Sequence, residues 1–307
     1  MTLRRLLGPL RPTAHRFVSA AAEQLGYELY PRDFYSPIPV VDELPAGLWD
    51  GPGEMRGTEL SVLTSLANLN NDLLPYLKEF RPPRKRTANA RFWLENGHFG
   101  SVDAETLYAM VRHLKPSRVF ELGSGASSQV IYAAALANAS EGSPLAHSIF
   151  DPLPYHRGTA QSIPGATVHA IRAEELDPAL FDELESGDIL FIDTTHTVRT
   201  GGDVTHVILN GLPRLKPGVT VHVHDIFLPW EYPKHWVVDL RRAFAEQYLL
   251  QAFLAFNTEF EVVLANHALA RQAPEELGAM IPSFHPGDLH PASLWMRRST
   301  PTPARRA

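Results

Sequence analysis

The chain has 307 residues, 44% of them apolar and 20% charged, and its 28 Lys and Arg against 34 Asp and Glu give a formal net charge of −6. The absence of cysteine excludes disulfides, thiolate metal sites and a cysteine nucleophile, and the negative net charge argues against nucleic acid as a partner. No run approaches the ~18 apolar residues of a membrane helix, and Gly8 and Pro9 interrupt the apolar stretch at the N-terminus, so we expect a cytoplasmic protein without a membrane partner.

The first 95 residues predict a helical and irregular extension. Helical spacing at residues 14–25 and 59–80 indicates two helices, separated by a stretch rich in proline and glycine at 28–58. The second helix is expected to bury an apolar stripe of Leu60, Leu63, Leu66 and Leu69. Residues 81–91, RPPRKRTANAR, carry five basic side chains and no acid, which predicts an exposed loop or linker.

From residue 96 onward, predicted strands alternate with predicted helices. The strands are expected at 118–122, 146–150, 167–172, 188–193, 219–224, 260–264 and 293–297, and the helices at 103–114, 128–139, 155–163, 178–185, 203–212 and 236–250. This alternation is typical of a parallel sheet with helices on its faces. The tail at 299–307 has no large apolar side chain to bury and is expected to be disordered.

The most informative local pattern is VFELGSGASSQV at residues 119–130. A predicted strand that ends near Glu121 is followed by Gly123, Gly125 and the start of a predicted helix. Glycines allow the backbone to turn tightly and approach a ligand, and a helix N-terminus offers unpaired N–H groups. A nucleotide-type ligand is therefore expected, although Ser128 replaces the third glycine of the G-x-G-x-x-G pattern.

Three motifs together carry a family resemblance: ELGSG at 121–125, FDP at 150–152 and LPRLKPGVTVHVHD at 212–225. They resemble the class I S-adenosylmethionine-dependent methyltransferases, in a subgroup of undefined substrate. The resemblance implies a Rossmann-like α/β fold over residues 96–298, with a seven-stranded sheet of six parallel strands and an antiparallel last strand. It also implies S-adenosylmethionine as cofactor and an activity of the EC 2.1.1 type. One departure is Val219, where the family usually has a second glycine.

The same resemblance implies the residues that hold the methyl donor. Glu121, Gly123 and Gly125 would hold the methionine moiety, and Ser124 of the same turn is a further cofactor-binding candidate. Asp151 corresponds to the carboxylate that binds the ribose hydroxyls, which fits its place after the second predicted strand. Glu174 is the candidate near the adenine. The alternatives are a turn residue for Asp151 and an acid favoured by a helix N-terminus for Glu174.

Acids and histidines follow the fourth and fifth predicted strands. Asp193 and Asp225 end these strands, with His196 and His224 close to them. Because the carboxyl ends of parallel strands are where ligands bind, we expect the four side chains to converge. His196 is the predicted general base for a hydroxyl acceptor, His224 is the second candidate, and Asp193 would orient His196 or bind the amino group of the donor. The alternative for His196 is a loop histidine without a chemical role.

A divalent metal ion is a further interpretation of these strand ends. Asp193 and Asp225 are its predicted ligands, although Ile226 stands where related metal sites have Asn or Asp. With the two histidines added, the ligands would suit a borderline transition metal better than magnesium. His222 points to the same face of its strand as His224 and is expected to be a core histidine. The aromatic residues of FLPWEYPKHW, 227–236, would line a planar acceptor or cover the end of the sheet.

These patterns predict methyl transfer to a small molecule. Oxygen is the favoured acceptor atom, and nitrogen and carbon remain open. The alternatives are a nicotinamide-dependent oxidoreductase and a non-methylating metal-dependent relative on the same fold. We expect the extension at 1–95 to close over the acceptor as a lid and to bring the basic loop near it. The alternative is that the extension forms the arm of a homodimer.

Overall fold

The computed structural model of the protein describes residues 11–30, 35–36, 38–154, 162–288 and 290–299. Nearly all of the helix predicted at 155–163 and of the tail at 299–307 lies outside these ranges. No helix within them is long and apolar enough to cross a membrane.

Seven strands form one sheet in the order β3-β2-β1-β4-β5-β7-β6. They are β1 Arg118–Leu122, β2 Ala146–Phe150, β3 Thr167–His169, β4 Ile189–Ile192, β5 Thr220–Val223, β6 Phe260–Ala265 and β7 Leu294–Arg298. Strand β7 is antiparallel to both of its neighbours, so six strands run in one direction and β7 runs in the other. This confirms the predicted sheet, although β3 ends at His169 and not at residue 172.

The central strands are apolar because both faces of the sheet are covered. All four residues of β4 and all four of β5 are buried. In β4, Ile189 and Phe191 pack into the core on one face, and Leu190 and Ile192 pack into the core on the other. Continuous apolar runs of this kind are typical of parallel strands between two helical layers.

Ten α-helices are described. They are α1 Arg11–Gln24, α2 Val62–Asn68, α3 Leu74–Glu79, α4 Asp103–Leu114, α5 Ala126–Ser140, α6 Asp203–His206, α7 Lys234–Val238, α8 Glu246–Leu254, α9 Asn266–Gln272 and α10 Pro274–Met280. The helix predicted at 236–250 is wrong as one element, because α7 and α8 are separated by residues 239–245. The helix predicted at 178–185 is a 3-10 helix over Pro178–Glu183. The connection between β6 and β7 contains α9 and α10.

Helices α2 and α3 pack against the sheet domain. A π turn over Leu69–Leu73 joins them, and Leu69, Leu73 and Leu77 lie in the same core as residues of α4 and α5. Asn68 Nδ2 donates to the carbonyl of Val263 in β6 at 2.7 Å. The predicted leucine stripe is wrong at Leu63, which is 79% exposed, because the buried face continues through the π turn to residues 73 and 77. The domain boundary expected at residue 95 stays a prediction.

Candidate active site

The carboxyl ends of β1, β2, β4 and β5 open into one cavity of about 1130 Å³. The lining of this cavity divides into two parts. The glycine-turn half is lined by Gly123, Ser124, Phe150, Asp151, Leu153, Ala173 and Glu174. The histidine half is lined by Asp103, His196, His224, Asp225, Phe227, Trp236, Arg242 and Phe244. Asp193 borders both halves, since its backbone lies against Gly123 and its carboxylate lies against the histidines.

The turn after β1 is fixed against the ends of two neighbouring strands. Gly123 has a φ of +89°, and a Cβ at this position would lie 2.0 Å from the carbonyl oxygen of Asp193. Only glycine fits there. The N–H and the hydroxyl of Ser124 donate to Asp151 Oδ2 at 2.8 and 2.7 Å, and the N–H of Leu153 donates to Asp151 Oδ1 at 2.8 Å. Asp151 is therefore held in one orientation at the cavity surface.

Glu121 lies behind this turn. Its side chain is wholly buried, it accepts hydrogen bonds from Ser127 Oγ at 2.7 Å and Ser128 Oγ at 3.0 Å, and it contacts His147 Nε2 at 2.8 Å. Glu121 and Gly125 are not among the described residues that line the cavity. From this position Glu121 supports the glycine turn through Ser127 and Ser128, and its contact with the methyl donor stays a prediction.

Glu174 lines the cavity from the 3-10 helix Ala173–Glu175. Its carboxylate lies 3.7 Å from the guanidinium groups of both Arg172 and Arg199. Glu174 sits in the first turn of that helix. Its position therefore agrees both with a contact near the adenine and with an acid that is favoured by a helix N-terminus.

The four side chains predicted to converge do so in the histidine half. His196 Nε2 lies 3.2 Å from Asp193 Oδ1 and 3.4 Å from Asp225 Oδ2. His224 Nδ1 lies 3.6 Å from Asp193 Oδ1 and 3.7 Å from Asp225 Oδ1. Each histidine therefore faces the same pair of carboxylates, and His196 is buried, unlike the partly exposed loop residue of the alternative.

Two further carboxylates, not identified from the sequence, contact the outer nitrogens of these histidines. Glu246 Oε2 lies 2.8 Å from His196 Nδ1, and Asp103 Oδ2 lies 3.5 Å from His224 Nε2. Both acids are buried, and Asn266 Nδ2 donates to Asp103 at 2.8 Å. Each acid occupies the first turn of a helix, Asp103 in α4 and Glu246 in α8. An acid at a helix start was the available signal, but it does not distinguish a site residue from a favourable helix terminus.

The carboxylates control the protonation of both histidines. Burial lowers the pKa of His196, but hydrogen bonds to Asp193 and Glu246 and the charge of Asp225 outweigh it and raise the pKa to about 10. Burial likewise opposes the charge on His224, yet its carboxylate neighbours hold its pKa well above the usual value. The pKa of Asp193 is raised by burial but falls well below its usual range because both histidines lie beside it. The cluster thus carries charges of both signs at neutral pH.

The loop after β4 holds His196 in an unusual backbone conformation. His196 and Asp225 have φ values of 57° and 56°, a region that costs a non-glycine residue on the order of 1 kcal/mol or more. The carbonyl of His196 accepts from the N–H groups of Ala245 and Glu246 at 2.9 and 3.2 Å. The N–H and hydroxyl of Thr195 donate to Asp203 at 2.8 and 2.7 Å. These bonds keep the loop in place despite the strain.

His222 is a core residue, as the sequence indicated. It is fully buried, stacks on Phe191 at 4.1 Å between ring centres, and contacts Ser293 Oγ at 2.8 Å. Burial lowers its pKa to about 3, so the ring is neutral.

The metal ion stays a prediction. Over the described ranges, no group of three or more His, Asp or Glu side chains has an arrangement suited to a metal ion. Asp193 and Asp225 instead contact the two histidines directly. The reaction proposed below therefore uses the side chains of this cluster and no metal ion.

The aromatic segment after β5 covers the end of the sheet and also reaches the cavity, and its contact with an acceptor stays a prediction. Tyr232 is buried and packs on Phe227, which covers the end of the sheet. Phe227, Trp236 and Phe244 line the cavity, and the ring of Phe244 lies 4.9 Å from that of His196.

The N-terminal part of the chain reaches the cavity through its last residues only. Arg84, Leu94, Glu95, His98 and Ser101 line the cavity, and no described residue before Arg84 does so. One arginine of the basic loop therefore borders the site.

Comparison with known proteins identifies a methyltransferase domain within the chain. Residues 120–226 match the family described as "Methyltransferase domain", which is 107 of the 307 residues and includes the glycine turn, Asp151, Asp193, His196 and Asp225. No curated protein is similar to the chain at a significant level.

Several solved structures are similar at low identity. The CMeT domain of the citrinin polyketide synthase is 12% identical with a TM-score of 0.36, over 64% of this chain and 52% of that chain, so the match spans about half of its length. A putative methyltransferase from Thermobifida fusca YX is 14% identical with a TM-score of 0.35, over 87% and 100% of the two chains. A putative methyltransferase from an antibiotic biosynthesis pathway of Anabaena variabilis ATCC 29413 is 19% identical with a TM-score of 0.33, over 61% and 79%.

The domain match does not support a nicotinamide-dependent oxidoreductase. The sheet with its antiparallel β7, the glycine turn after β1 and the matched domain agree with one another. The chain therefore contains a methyltransferase domain over residues 120–226, on a sheet whose strand order is β3-β2-β1-β4-β5-β7-β6.

Proposed function

We propose that the protein transfers a methyl group from S-adenosylmethionine to a hydroxyl oxygen of a small molecule, with His196 as the general base. The observation that carries this proposal is the continuity of the cavity. The glycine-turn half and the histidine half meet at Asp193, whose carbonyl lies against the glycine turn and whose carboxylate lies against His196. A donor and an acceptor bound in the two halves would thus meet beside a base.

The glycine-turn half fits the methyl donor. Gly123 lets the turn pack against the carbonyl of Asp193 at the cavity wall. Asp151 Oδ2 accepts two hydrogen bonds from Ser124, whereas Oδ1 accepts one from Leu153 and keeps a lone pair for a ribose hydroxyl. Phe150 and Leu153 supply apolar surface for the adenine. When bound, S-adenosylmethionine supplies a methyl carbon whose bond to the sulfonium breaks with its electron pair left on sulfur.

Other residues of this half have supporting roles in the proposal. Glu174 lies on the adenine side, Ser124 and Gly125 belong to the turn itself, and Asp193 is the carboxylate for the amino group of the donor. Glu121 holds the turn from behind through Ser127 and Ser128.

His196 is placed as an oriented base. Glu246 contacts Nδ1 and fixes the plane of the ring, so Nε2 is the atom beside Asp193 and Asp225. Nε2 must first release its own proton to solvent, because the pKa of the ring is about 10. It then accepts the proton of the acceptor hydroxyl, and the three surrounding carboxylates stabilise the imidazolium that forms. His224, between the same two aspartates, is the second candidate for this role.

Calorimetric titration with S-adenosylmethionine tests the proposal. We expect one site per chain with a micromolar dissociation constant, because the turn and Asp151 are preorganised by hydrogen bonds. Competition by S-adenosylhomocysteine should be complete. A protein that is folded by circular dichroism and binds neither compound would contradict the proposed function.

A further inference from the structure

Arg242 is an exposed arginine that lines the histidine half from the segment between α7 and α8. Its guanidinium carbon lies 4.3 Å from the centre of the Trp236 ring and 5.5 Å from that of the Phe244 ring. Its backbone N–H donates to the carbonyl of Trp236 at 2.9 Å. The side chain is thus held by two aromatic faces, an arrangement that orients a guanidinium without neutralising its charge.

The other arginines that line the cavity are neutralised by carboxylates. Arg84 pairs with Glu95 at 3.1 Å, and Arg172 and Arg199 each lie 3.7 Å from Glu174. Within the described residues, no ion pair within 4 Å involves Arg242. Among the described residues, Arg242 is therefore the arginine of the cavity lining that has no carboxylate partner.

The distance from Arg242 to the proposed base, His196, limits the size of an acceptor that contacts both residues. The His196 ring and the Arg242 guanidinium carbon are 4.9 and 5.5 Å from the centre of the Phe244 ring, so they are no more than about 10 Å apart. A span this short admits a single aromatic ring whose hydroxyl and carboxylate stand on neighbouring or alternate ring carbons, with one hydrogen bond at each end. The rings of Phe244 and Trp236 along this path favour a planar ring as the intervening group.

We propose that the acceptor is an aromatic acid whose hydroxyl lies at His196 and whose carboxylate is bound by Arg242. A planar guanidinium matches the two oxygens of a carboxylate with two parallel hydrogen bonds. This inference rests on the proposed function, because it takes His196 as the point of reaction.

Binding of defined probes tests the inference. We would titrate the full chain with 2-hydroxybenzoate, 3-hydroxybenzoate, their methyl esters and 3-hydroxyphenyl phosphate. At least one acid should bind about 10- to 100-fold more tightly than its ester, because the ester lacks the charge-assisted bond. Equal affinity for acid and ester, no binding of either acid, or an Arg242-dependent preference for the phosphate would each overturn the inference.

Matched variants assign the effect to Arg242. Arg242→Met keeps apolar contact with the rings and removes the charge, so it should lose about 10- to 100-fold in acid affinity and nothing in ester affinity. Arg271→Met is the control, because Arg271 is also an exposed arginine, 5.1 Å from the centre of the Trp230 ring, but it does not line the cavity. Unchanged acid affinity in Arg242→Met, or an equal loss in Arg271→Met, would overturn the inference.

Titration of the same proteins with S-adenosylhomocysteine separates this inference from the proposed function. Donor-product binding without Arg242-dependent acid binding would remove the aromatic acid and leave methyl transfer in place. Arg242-dependent acid binding without donor-product binding would support the acid site and contradict the proposed function.

Discussion

We expect binding of the methyl donor to depend most directly on Asp151. Replacing it by Ala removes a charge-assisted hydrogen bond of about 1.5–3 kcal/mol, so affinity for S-adenosylhomocysteine should fall about 10- to 100-fold. Asp182→Ala is the matched control, since Asp182 pairs with Arg214 on the surface and does not line the cavity. Calorimetry that gives the same dissociation constant for Asp151→Ala and the unmodified protein would remove Asp151 from the site.

The pH dependence of the rate reports on His196. Its pKa is raised to about 10, and a base acts only when unprotonated, so kcat/KM should rise nearly tenfold per pH unit from pH 7 and level near pH 10. Glu246→Gln removes one of the carboxylates that raise this pKa, so the levelling point should move to lower pH. A rate that does not change between pH 7 and pH 9 would contradict His196 as the base.

At the residue scale, the sequence predicted the part of the site that follows neighbouring strands. Asp193 and Asp225 follow β4 and β5 within two residues, and these strands pair in register, so their convergence follows from the parallel sheet. Asp103 and Glu246 come from helix starts distant in sequence, and no local pattern connects them with the histidines. Arg242 was not identified because its role depends on the rings beside it and not on its sequence neighbours.

Helices α2 and α3 provide a test at the scale of single elements. Leu69→Ala should lower the free energy of unfolding by about 2–5 kcal/mol, because Leu69 is fully buried and its truncation leaves a cavity. Leu63→Ala, in the same predicted stripe, should change it by no more than ~0.5 kcal/mol, because Leu63 is 79% exposed. Denaturant titration measures both, and equal losses would contradict the observed register of the helix.

The break between α7 and α8 shows where prediction of elements failed. Residues 239–245, DLRRAFA, contain no glycine or proline, so helical spacing continued through them in the sequence. In the structure Arg241 has a φ of 54°, and the chain turns so that Arg242 and Phe244 line the cavity. Contacts with the aromatic rings and with His196 outweigh the local helical preference.

At the scale of the whole molecule, the N-terminal extension contacts the segment that carries the aromatic lining. Trp49 Nε1 donates to the carbonyl of Tyr232 at 2.8 Å, and Gly53 N–H donates to that of Pro229 at 2.6 Å. The Nζ atom of Lys234 lies over the Trp49 ring, 5.4 Å from its centre. These contacts attach the extension to the aromatic segment outside the cavity lining, and its role as a lid over the acceptor stays a prediction.

A chain that begins at residue 61 tests this role while it keeps the buried leucines of α2 and α3. It should bind S-adenosylhomocysteine with unchanged affinity and bind the aromatic acid probes more weakly, because residues 49–54 no longer support the acceptor side. Sedimentation of both chains measures the oligomeric state. Unchanged probe binding with loss of a dimer would contradict the lid and support a dimerisation arm.

A crystal structure of the protein with S-adenosylhomocysteine would show directly whether the donor and acceptor halves meet beside His196. We expect density in the glycine-turn half, with the ribose hydroxyls on Asp151, the amino group near Asp193 and the sulfur directed toward His196. Density for the compound elsewhere, or a glycine-turn half empty at saturating concentration, would contradict it.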